Sequence, residues 1–251
     1  MTIVGGCFAV QNNIKSCDLY HSLLNEQVFA KTGNSLKINI IRYERFKSCF
    51  EKIKSYKKNN PIDILLFHIR TEQYLRLSKL YYKYQDEYGK IKRSLILPFM
   101  NKVAPEEYDL LQLNMPATQN EAIRESFIHR LSVKANYICG FFSGNRKYAV
   151  KLYDDLVSEI ISFCKAENIK LVLAGPGSRP RMEKENELSG MLNDHFKERA
   201  EQIPVPYAEL FGYYNDKNEF LFFPNGTHVN EKGHIRASNL TMNELIKNSY
   251  I

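Results

Sequence analysis

The sequence predicts an α/β protein in which a five-stranded parallel sheet lies between two helical layers, a three-layer doubly wound fold. Five short strand-like segments alternate with helix-like segments of ten or more residues, the pattern of a parallel sheet. Segment 62–70 is apolar at nearly every position, as expected of a strand buried on both faces. Because parallel βαβ units are almost always right-handed, the helices should cover both faces in a flavodoxin-like arrangement.

Five segments are the candidate core strands because they combine β-branched or apolar residues with polar boundaries. They are residues 2–4, 36–43, 62–70, 169–175 and 205–210. The apolar run 94–99 also resembles a strand, but Pro98 lacks a backbone N–H and argues against a central position in a sheet.

Helical periodicity fills the intervals between these strands. The predicted helices cover residues 8–29, 44–57, 71–88, 146–167 and 183–202, and a last helix follows the loop that begins at Asn225. No linker divides the chain, so we predict a single domain over 1–251. Segment 94–145, with helical character near 121–131, is interpreted as an insertion that forms a cap.

Composition restricts the class of protein. Hydrophobic residues make up 44% and charged residues 25% of the 251 positions, which is typical of globular domains. No apolar run approaches 18 residues, so we expect no membrane span. The N-terminus lacks the basic segment of a signal peptide, and five cysteines without a paired spacing indicate reduced thiols. We therefore expect a cytoplasmic protein without a zinc site.

The net charge of +7 is compatible with an anionic partner. Lysine and arginine are spread along the whole chain, whereas a nucleic-acid-binding protein usually concentrates them with aromatic residues on one face. We therefore expect a small-molecule or carbohydrate substrate, which can be anionic, and no nucleic acid. The sequence does not indicate the oligomeric state.

Three loops should share one edge of the predicted sheet, because ligands of doubly wound folds bind beyond the carboxyl ends of the strands. These loops are Gly5-Gly6-Cys7, residues 68–71 and residues 175–181. A fourth loop, Asn225-Gly226-Thr227-His228, precedes the last helix. Its Asn and Gly favour a tight turn that presents His228, a residue suited to general-base catalysis near neutral pH.

Together these motifs resemble the SGNH (GDSL-like) hydrolase superfamily. Gly5-Gly6-Cys7 stands where the family has Gly-Asp-Ser, and Gly5 to Ala9 is close to the Gly-Ser-Cys-Phe-Ala signature of one branch. Asn225 to His228 stands where the family has Asp-x-x-His. The resemblance implies that Cys7 is the nucleophile, His228 the general base and Asn225 the residue that orients it.

The middle motifs of the family are not evident in this chain. Arg70 follows the third strand where the family has the asparagine of its oxyanion hole. We therefore consider Gly6, Arg70, His68 and Arg179 as oxyanion or substrate-binding residues. For His68, packing at a strand end fits the sequence better than a binding role, and for Arg179 a solvated loop does.

Three functions remain open at this stage. The first is hydrolysis of a carbohydrate or small-molecule ester through Cys7 and His228, without a cofactor. The second is O-acyl transfer to a sugar in bacterial polysaccharide modification, with acyl-CoA or another thioester as donor. The third is a non-catalytic SGNH-like domain that binds a glycan or a protein.

Overall fold

The central sheet has five parallel strands in the order β2-β1-β3-β6-β7. The computed structural model describes residues 1–6, 8, 14–43, 46–85, 88, 90–98, 127–178, 183–214, 221–222 and 228–251. The strands are β1 (Thr2–Gly5), β2 (Asn39–Arg42), β3 (Ile64–His68), β6 (Lys170–Ala174) and β7 (Tyr207–Ala208). Each lies within a predicted segment or extends it by one residue, and β3 is central, so the predicted fold class is confirmed.

Side chains alternate between the two faces of the sheet, as the two-residue repeat of a strand requires. On β3, Leu65 and Phe67 pack into one hydrophobic core, whereas Ile64 and Leu66 pack into the other. All four side chains are buried. This two-sided burial explains the uninterrupted apolar run that identified the strand.

Seven helices are described around the sheet and beside it. They are α1 (Tyr20–Thr32), α2 (Phe46–Asn59), α3 (Thr71–Leu77), α4 (Phe127–Phe142), α5 (Asn145–Ala166), α6 (Glu183–Gln202) and α7 (Glu231–Lys247). Residues of α1 and α7 belong to one core and residues of α2, α3, α5 and α6 to the other, so helices cover both faces. No helix in the described ranges is long and apolar enough to cross a membrane.

Two helix predictions are wrong in part. Helix α1 begins at Tyr20, so residues 14–19 are not part of an α-helix that begins at Phe8. Helix α3 ends at Leu77, and an antiparallel hairpin of β4 (Tyr81–Gln85) and β5 (Ile91–Leu95) follows. The three tyrosines of β4 favour a strand, and this local preference prevailed over the helical spacing.

The hairpin and α4 are joined through the side-chain amide of Asn136, which is partly buried. The Asn136 side chain on α4 accepts the backbone N–H groups of Leu80 (2.9 Å) and Tyr81 (3.1 Å). Part of the segment 94–145 that we interpret as an insertion is therefore attached to the chain that precedes it. The predicted helix near 121–131 is described only from Phe127 onward, and the role of the segment as a cap stays a prediction.

The start of α7 is fixed by two residues. The side-chain oxygen of Asn230 accepts the Gly233 N–H at 3.1 Å, which is an N-cap. The backbone N–H of Asn230 also donates to Leu221 at 3.0 Å. A Cβ atom at Gly233 would lie 2.6 Å from the Leu221 carbonyl oxygen, so only glycine permits this close approach.

We predict that Asn230→Ala lowers the free energy of unfolding by about 1 kcal/mol, because the first turn of α7 loses its cap. Chemical denaturation measures the change. Asn230→Asp keeps the acceptor oxygen and serves as the matched control, with a much smaller effect. Equal losses in the two variants would contradict the capping role.

Candidate active site

The carboxyl ends of β1, β3 and β6 meet at one edge of the sheet. Gly5 and Gly6 end β1, and residues 68–70 end β3, the neighbouring strand. The loops after β3 and β6 are linked by a hydrogen bond from the Thr71 hydroxyl to the Gly177 carbonyl (3.4 Å). This edge is the place at which doubly wound folds bind ligands.

The guanidinium of Arg70 lies directly on Gly6. A Cβ atom at Gly6 would be 2.5 Å from Cζ of Arg70 and 2.8 Å from Nη2, so a side chain there would displace the guanidinium. Glycine at position 6 therefore allows a positive charge to reach the backbone immediately before Cys7. The sequence predicted that both residues lie at one edge of the sheet, but not that they touch.

Several groups hold Arg70 in this position. Its Nη1 donates to the Tyr43 carbonyl oxygen, and its Nε lies 3.4 Å from Oε2 of Glu72. The Tyr153 hydroxyl accepts the Arg70 backbone N–H at 2.9 Å and donates to its carbonyl at 2.5 Å. The side chain of Arg70 is only 12% exposed, so its charge acts in a partly desolvated environment, where electrostatic interactions are stronger than in water.

His68 is buried below this arrangement and is more than a packing residue. Its Nε2 forms a 2.6 Å hydrogen bond with the Tyr20 hydroxyl, and its ring lies against Gly5. Burial, assisted by the Arg70 charge, lowers the pKa of His68 to about 4. His68 is therefore neutral at physiological pH and does not face the site as a cation.

Phe8 packs between the first turn of α1 and the first turn of α7. Its ring stacks on Tyr20 (centroids 4.8 Å apart) and on His234 (5.0 Å). The Tyr20 backbone N–H also donates to Nδ1 of His234 at 3.2 Å. The first turns of α1 and α7 therefore meet beside the end of β1.

The two histidines of the C-terminal motif differ in environment. His234 is fully buried, and burial, with a smaller contribution from the charge of His21, lowers its pKa to about 4. His228 is only partly buried and lies two residues before the cap residue Asn230. A general base must be accessible and titrate near the working pH, and burial and a low pKa exclude His234 from that role.

The structure describes four of the seven predicted site residues. It brings Gly6, Arg70 and His68 together at the carboxyl ends of β1 and β3, and it describes His228 beside α7. Cys7, Asn225 and Arg179 lie outside the described residues. The candidate roles of all seven as catalytic or binding residues stay predictions.

Sequence reasoning missed the tyrosines that support the site. The Tyr43 backbone carbonyl accepts from the Arg70 side chain, and the Tyr43 hydroxyl donates to the His68 carbonyl. The Tyr153 hydroxyl bonds the Arg70 backbone, and the Tyr20 hydroxyl bonds the His68 ring. A buried tyrosine hydroxyl needs a hydrogen-bond partner, which is the one signal in the sequence that these residues do more than fill the core.

Comparison with known proteins places this geometry in a structural class. No protein-family model matches the sequence, and no curated protein matches it significantly. Solved structures do match, among them a G-D-S-L family lipolytic protein from Veillonella parvula, with a TM-score of 0.52, 8% identity and coverage of 98% of this chain and 95% of that one. The chain has the fold of the SGNH (GDSL-like) hydrolases.

Two further SGNH-fold matches cover most of both chains. TesA gives a TM-score of 0.54 at 10% identity, covering 97% of this chain and 96% of the other. A catalytic mutant of the acetylxylan esterase Axe2 from Geobacillus stearothermophilus gives 0.55 at 10% identity, covering 97% and 92%. Identities this low show a common fold, and the branch with the Gly-Ser-Cys-Phe-Ala signature stays a prediction.

Metal ligands are not grouped in the described part of this SGNH-fold chain. No cluster of three or more His, Cys, Asp or Glu side chains there has the proximity that a metal site requires.

We predict that the free energy of unfolding falls between about pH 6.5 and pH 4 because of His68 and His234. In this window the unfolded chain binds a proton at each histidine while the folded protein does not, so stability rises with pH. A pKa lowered from 6.5 to about 4 corresponds to about 3 kcal/mol per residue.

Denaturant unfolding measured across this pH range, for the wild type and for His68→Gln and His234→Gln, checks the prediction. Each variant should lose part of the slope, since glutamine does not titrate. The difference from the wild type removes the contribution of the carboxylates, which also titrate near pH 4. A variant with the full wild-type slope would show that its histidine titrates normally.

Proposed function

We propose that the protein is an acyl-ester hydrolase with Cys7 as nucleophile and His228 as general base. The observation that carries the proposal is the pair of contacts on either side of Cys7. Gly6, which precedes it, lies against the Arg70 guanidinium, and Phe8, which follows it, stacks on the first turn of α7. A cation thus contacts the residue before the proposed nucleophile, and the first turn of α7, which follows the loop of His228, contacts the residue after it.

The Arg70 charge supports a reactive thiol. A nearby cation favours the thiolate over the neutral thiol. A helix that begins at Phe8, as predicted from the sequence, would place its N-terminus beside Cys7 and favour the thiolate. Because α1 begins at Tyr20 and not directly after Cys7, it does not supply this effect. Arg70 is therefore the main source of positive charge that we assign to the Cys7 thiolate.

In the proposed reaction the Cys7 thiolate attacks the ester carbonyl carbon, and the carbonyl oxygen becomes an oxyanion. The Cys7 backbone N–H and Arg70 stabilise that oxyanion. The alcohol leaves with a proton from the His228 imidazolium, and an acyl-thioester remains. A water molecule then attacks the thioester and gives a proton to His228, and Cys7 leaves as the thiolate when the carboxylic acid is released. Asn225 orients His228 in place of the usual aspartate.

The shared SGNH fold supports this reaction class, since an acetylxylan esterase has the same fold. The finer parts of the proposal are the Cys/His pair and a carbohydrate or small-molecule ester as substrate. Transfer of the acyl group to a sugar uses the same first step and differs only in the acceptor. A non-catalytic domain that binds an anionic glycan also accounts for a charge beside Cys7, and turnover of an ester decides between the two functions.

We predict that iodoacetamide labels Cys7 faster than any other cysteine of the folded protein. Cys49 and Cys164 are buried, and burial raises the pKa of each thiol to about 12. Cys17 and Cys139 are exposed and are the competing sites. Mass spectrometry of the labelled peptides gives each rate, and His228→Ala and Arg70→Gln should both slow labelling of Cys7.

Turnover of an activated ester such as p-nitrophenyl acetate separates an enzyme from a binding domain. Cys7→Ala should reduce kcat/KM by roughly 10³-fold or more, and Cys7→Ser should retain part of the activity because the hydroxyl is the nucleophile used more often in this fold. If Cys7→Ala turns over as fast as the wild type, the hydrolase proposal is wrong. Product analysis with an added sugar acceptor and a thioester donor identifies a transferase.

We predict that Arg70→Gln lowers kcat by roughly 10²–10³-fold with little change in KM, the effect of losing one oxyanion donor. Steady-state kinetics separate the two constants. Arg42→Gln is the matched control, because Arg42 ends the adjacent strand β2 and is exposed. An increase in KM alone would assign Arg70 to substrate binding.

A further inference from the structure

Helix α4 carries an unusual number of exposed apolar side chains. Half of the twelve large hydrophobic residues that are exposed in the described chain lie on this helix, at exposures between 48% and 81%. They are Phe127, Ile128, Leu131, Ile138, Phe141 and Phe142. Exposed apolar surface concentrated in this way usually marks an interaction site.

The opposite face of α4 is attached to the rest of the protein, which fixes the direction in which the exposed face points. Tyr137 is fully buried, and Gly140 packs against the carbonyl oxygen of Ser78. Asn136 holds the start of the β4-β5 hairpin through its side chain. The exposed face is therefore a defined surface of the fold.

The exposed residues follow the spacing of a helix–helix seam. Ile128, Leu131, Ala135, Ile138 and Phe142 are separated by three, four, three and four positions, which is the a/d pattern of coiled coils. All five are exposed, and we call them the α4 seam.

The spacing of the large residues in the α4 seam is nearly symmetric on the two sides of Ala135. In an antiparallel pair related by a two-fold axis near Ala135, Ile128 lies opposite Phe142, and Leu131 and Ile138 lie within one position, about 1.5 Å along the axis, of facing each other. A small residue at the crossing point allows the two helices to approach closely, and larger residues fill the space on either side. Such self-complementarity is the requirement of an isologous interface.

We propose that the α4 seam binds the α4 seam of a second copy of this chain, antiparallel, so that the protein is a homodimer. The four large side chains of the α4 seam, which are 48–81% exposed, offer roughly 500 Å² per protomer, taking about 150–250 Å² for a whole large side chain. The two surfaces together bury roughly 1,000 Å², the lower limit for a specific interface. The seam by itself therefore just reaches the area that a dimer needs.

The effect of salt on binding distinguishes a second copy of this chain from an anionic partner such as a lipid surface. Helix α4 carries Arg130 and Lys134 and has no acidic residue. In the antiparallel pair the two Arg130 side chains are displaced by about 15 Å along the axis, since ten positions separate them at 1.5 Å each, but the two Lys134 side chains are displaced by only about 3 Å. These cations repel each other, so salt should strengthen the dimer by screening, whereas it would weaken binding to an anionic lipid surface.

Sedimentation of the full chain at low and high salt tests the proposal. The wild type should be a dimer that tightens with salt, and Ile138→Asp should raise the dimer dissociation constant at least ~10-fold by placing a charge in the seam. Ile235→Asp is the matched control, since Ile138 and Ile235 are both 48% exposed and Ile235 lies on α7. A monomeric wild type, or equal effects of the two substitutions, would overturn the proposal.

A cross-link tests the two-fold axis. In a Cys7→Ser, Cys17→Ser, Cys139→Ser background, Ala135→Cys should form a disulfide-linked dimer on mild oxidation because the two copies meet at this position. Lys151→Cys, on an exposed position of α5, should remain monomeric. Equal cross-linking of the two would overturn the antiparallel geometry. A monomer that sediments with phosphatidylserine vesicles at low salt and is released at high salt would assign the seam to a lipid surface.

Discussion

The contact between the Arg70 guanidinium and Gly6 is the constraint on which the candidate site depends. It places a positive charge beside the end of β1. Because the Arg70 side chain is only 12% exposed and has lost most of its hydration, that charge needs hydrogen-bond and ion-pair partners in the protein. Tyr43 accepts from the guanidinium, Glu72 supplies the opposite charge and Tyr153 bonds the backbone. The aromatic residues around β3 thus position Arg70 as well as forming part of a core.

A second set of contacts joins the two ends of the chain. The Tyr20 N–H donates to His234, and Phe8 packs against both rings. Since His234 receives an N–H bond at Nδ1, its neutral ring carries the proton on Nε2. Its burial in this state is compatible with the low pKa, and it leaves His228 as the accessible histidine of the motif.

In the proposed reaction, the Arg70 cation, at the position where SGNH hydrolases have an oxyanion asparagine, also suits a cysteine nucleophile. A thiolate is stabilised by a nearby positive charge, and it depends less than a hydroxyl does on a base oriented by a carboxylate. Cys7, Arg70 and Asn225 therefore form a chemically consistent set of departures from the family pattern. Each would be harder to explain if the other two were absent.

The sequence by itself determined the sheet and its position in the fold. Segment 62–70 had to be central because an apolar run on both faces cannot border water, and Gly6 and Arg70 were identified by their places after β1 and β3. Local spacing misjudged residues 71–88, where β-favouring tyrosines formed a hairpin that docks on Asn136. It also extended the first helix to Phe8, although α1 begins at Tyr20.

Only the tertiary structure decided which residues touch. Tyr20 and His68 are 48 positions apart, and Arg70 and Tyr153 are 83 apart, and no periodicity along a chain encodes such pairs. The contact of Arg70 with Gly6 likewise depends on β1 and β3 being neighbours in the sheet, which is a property of strand order. Sequence patterns determine which face of an element is buried, whereas the partner on that face is set by the packing of the whole domain.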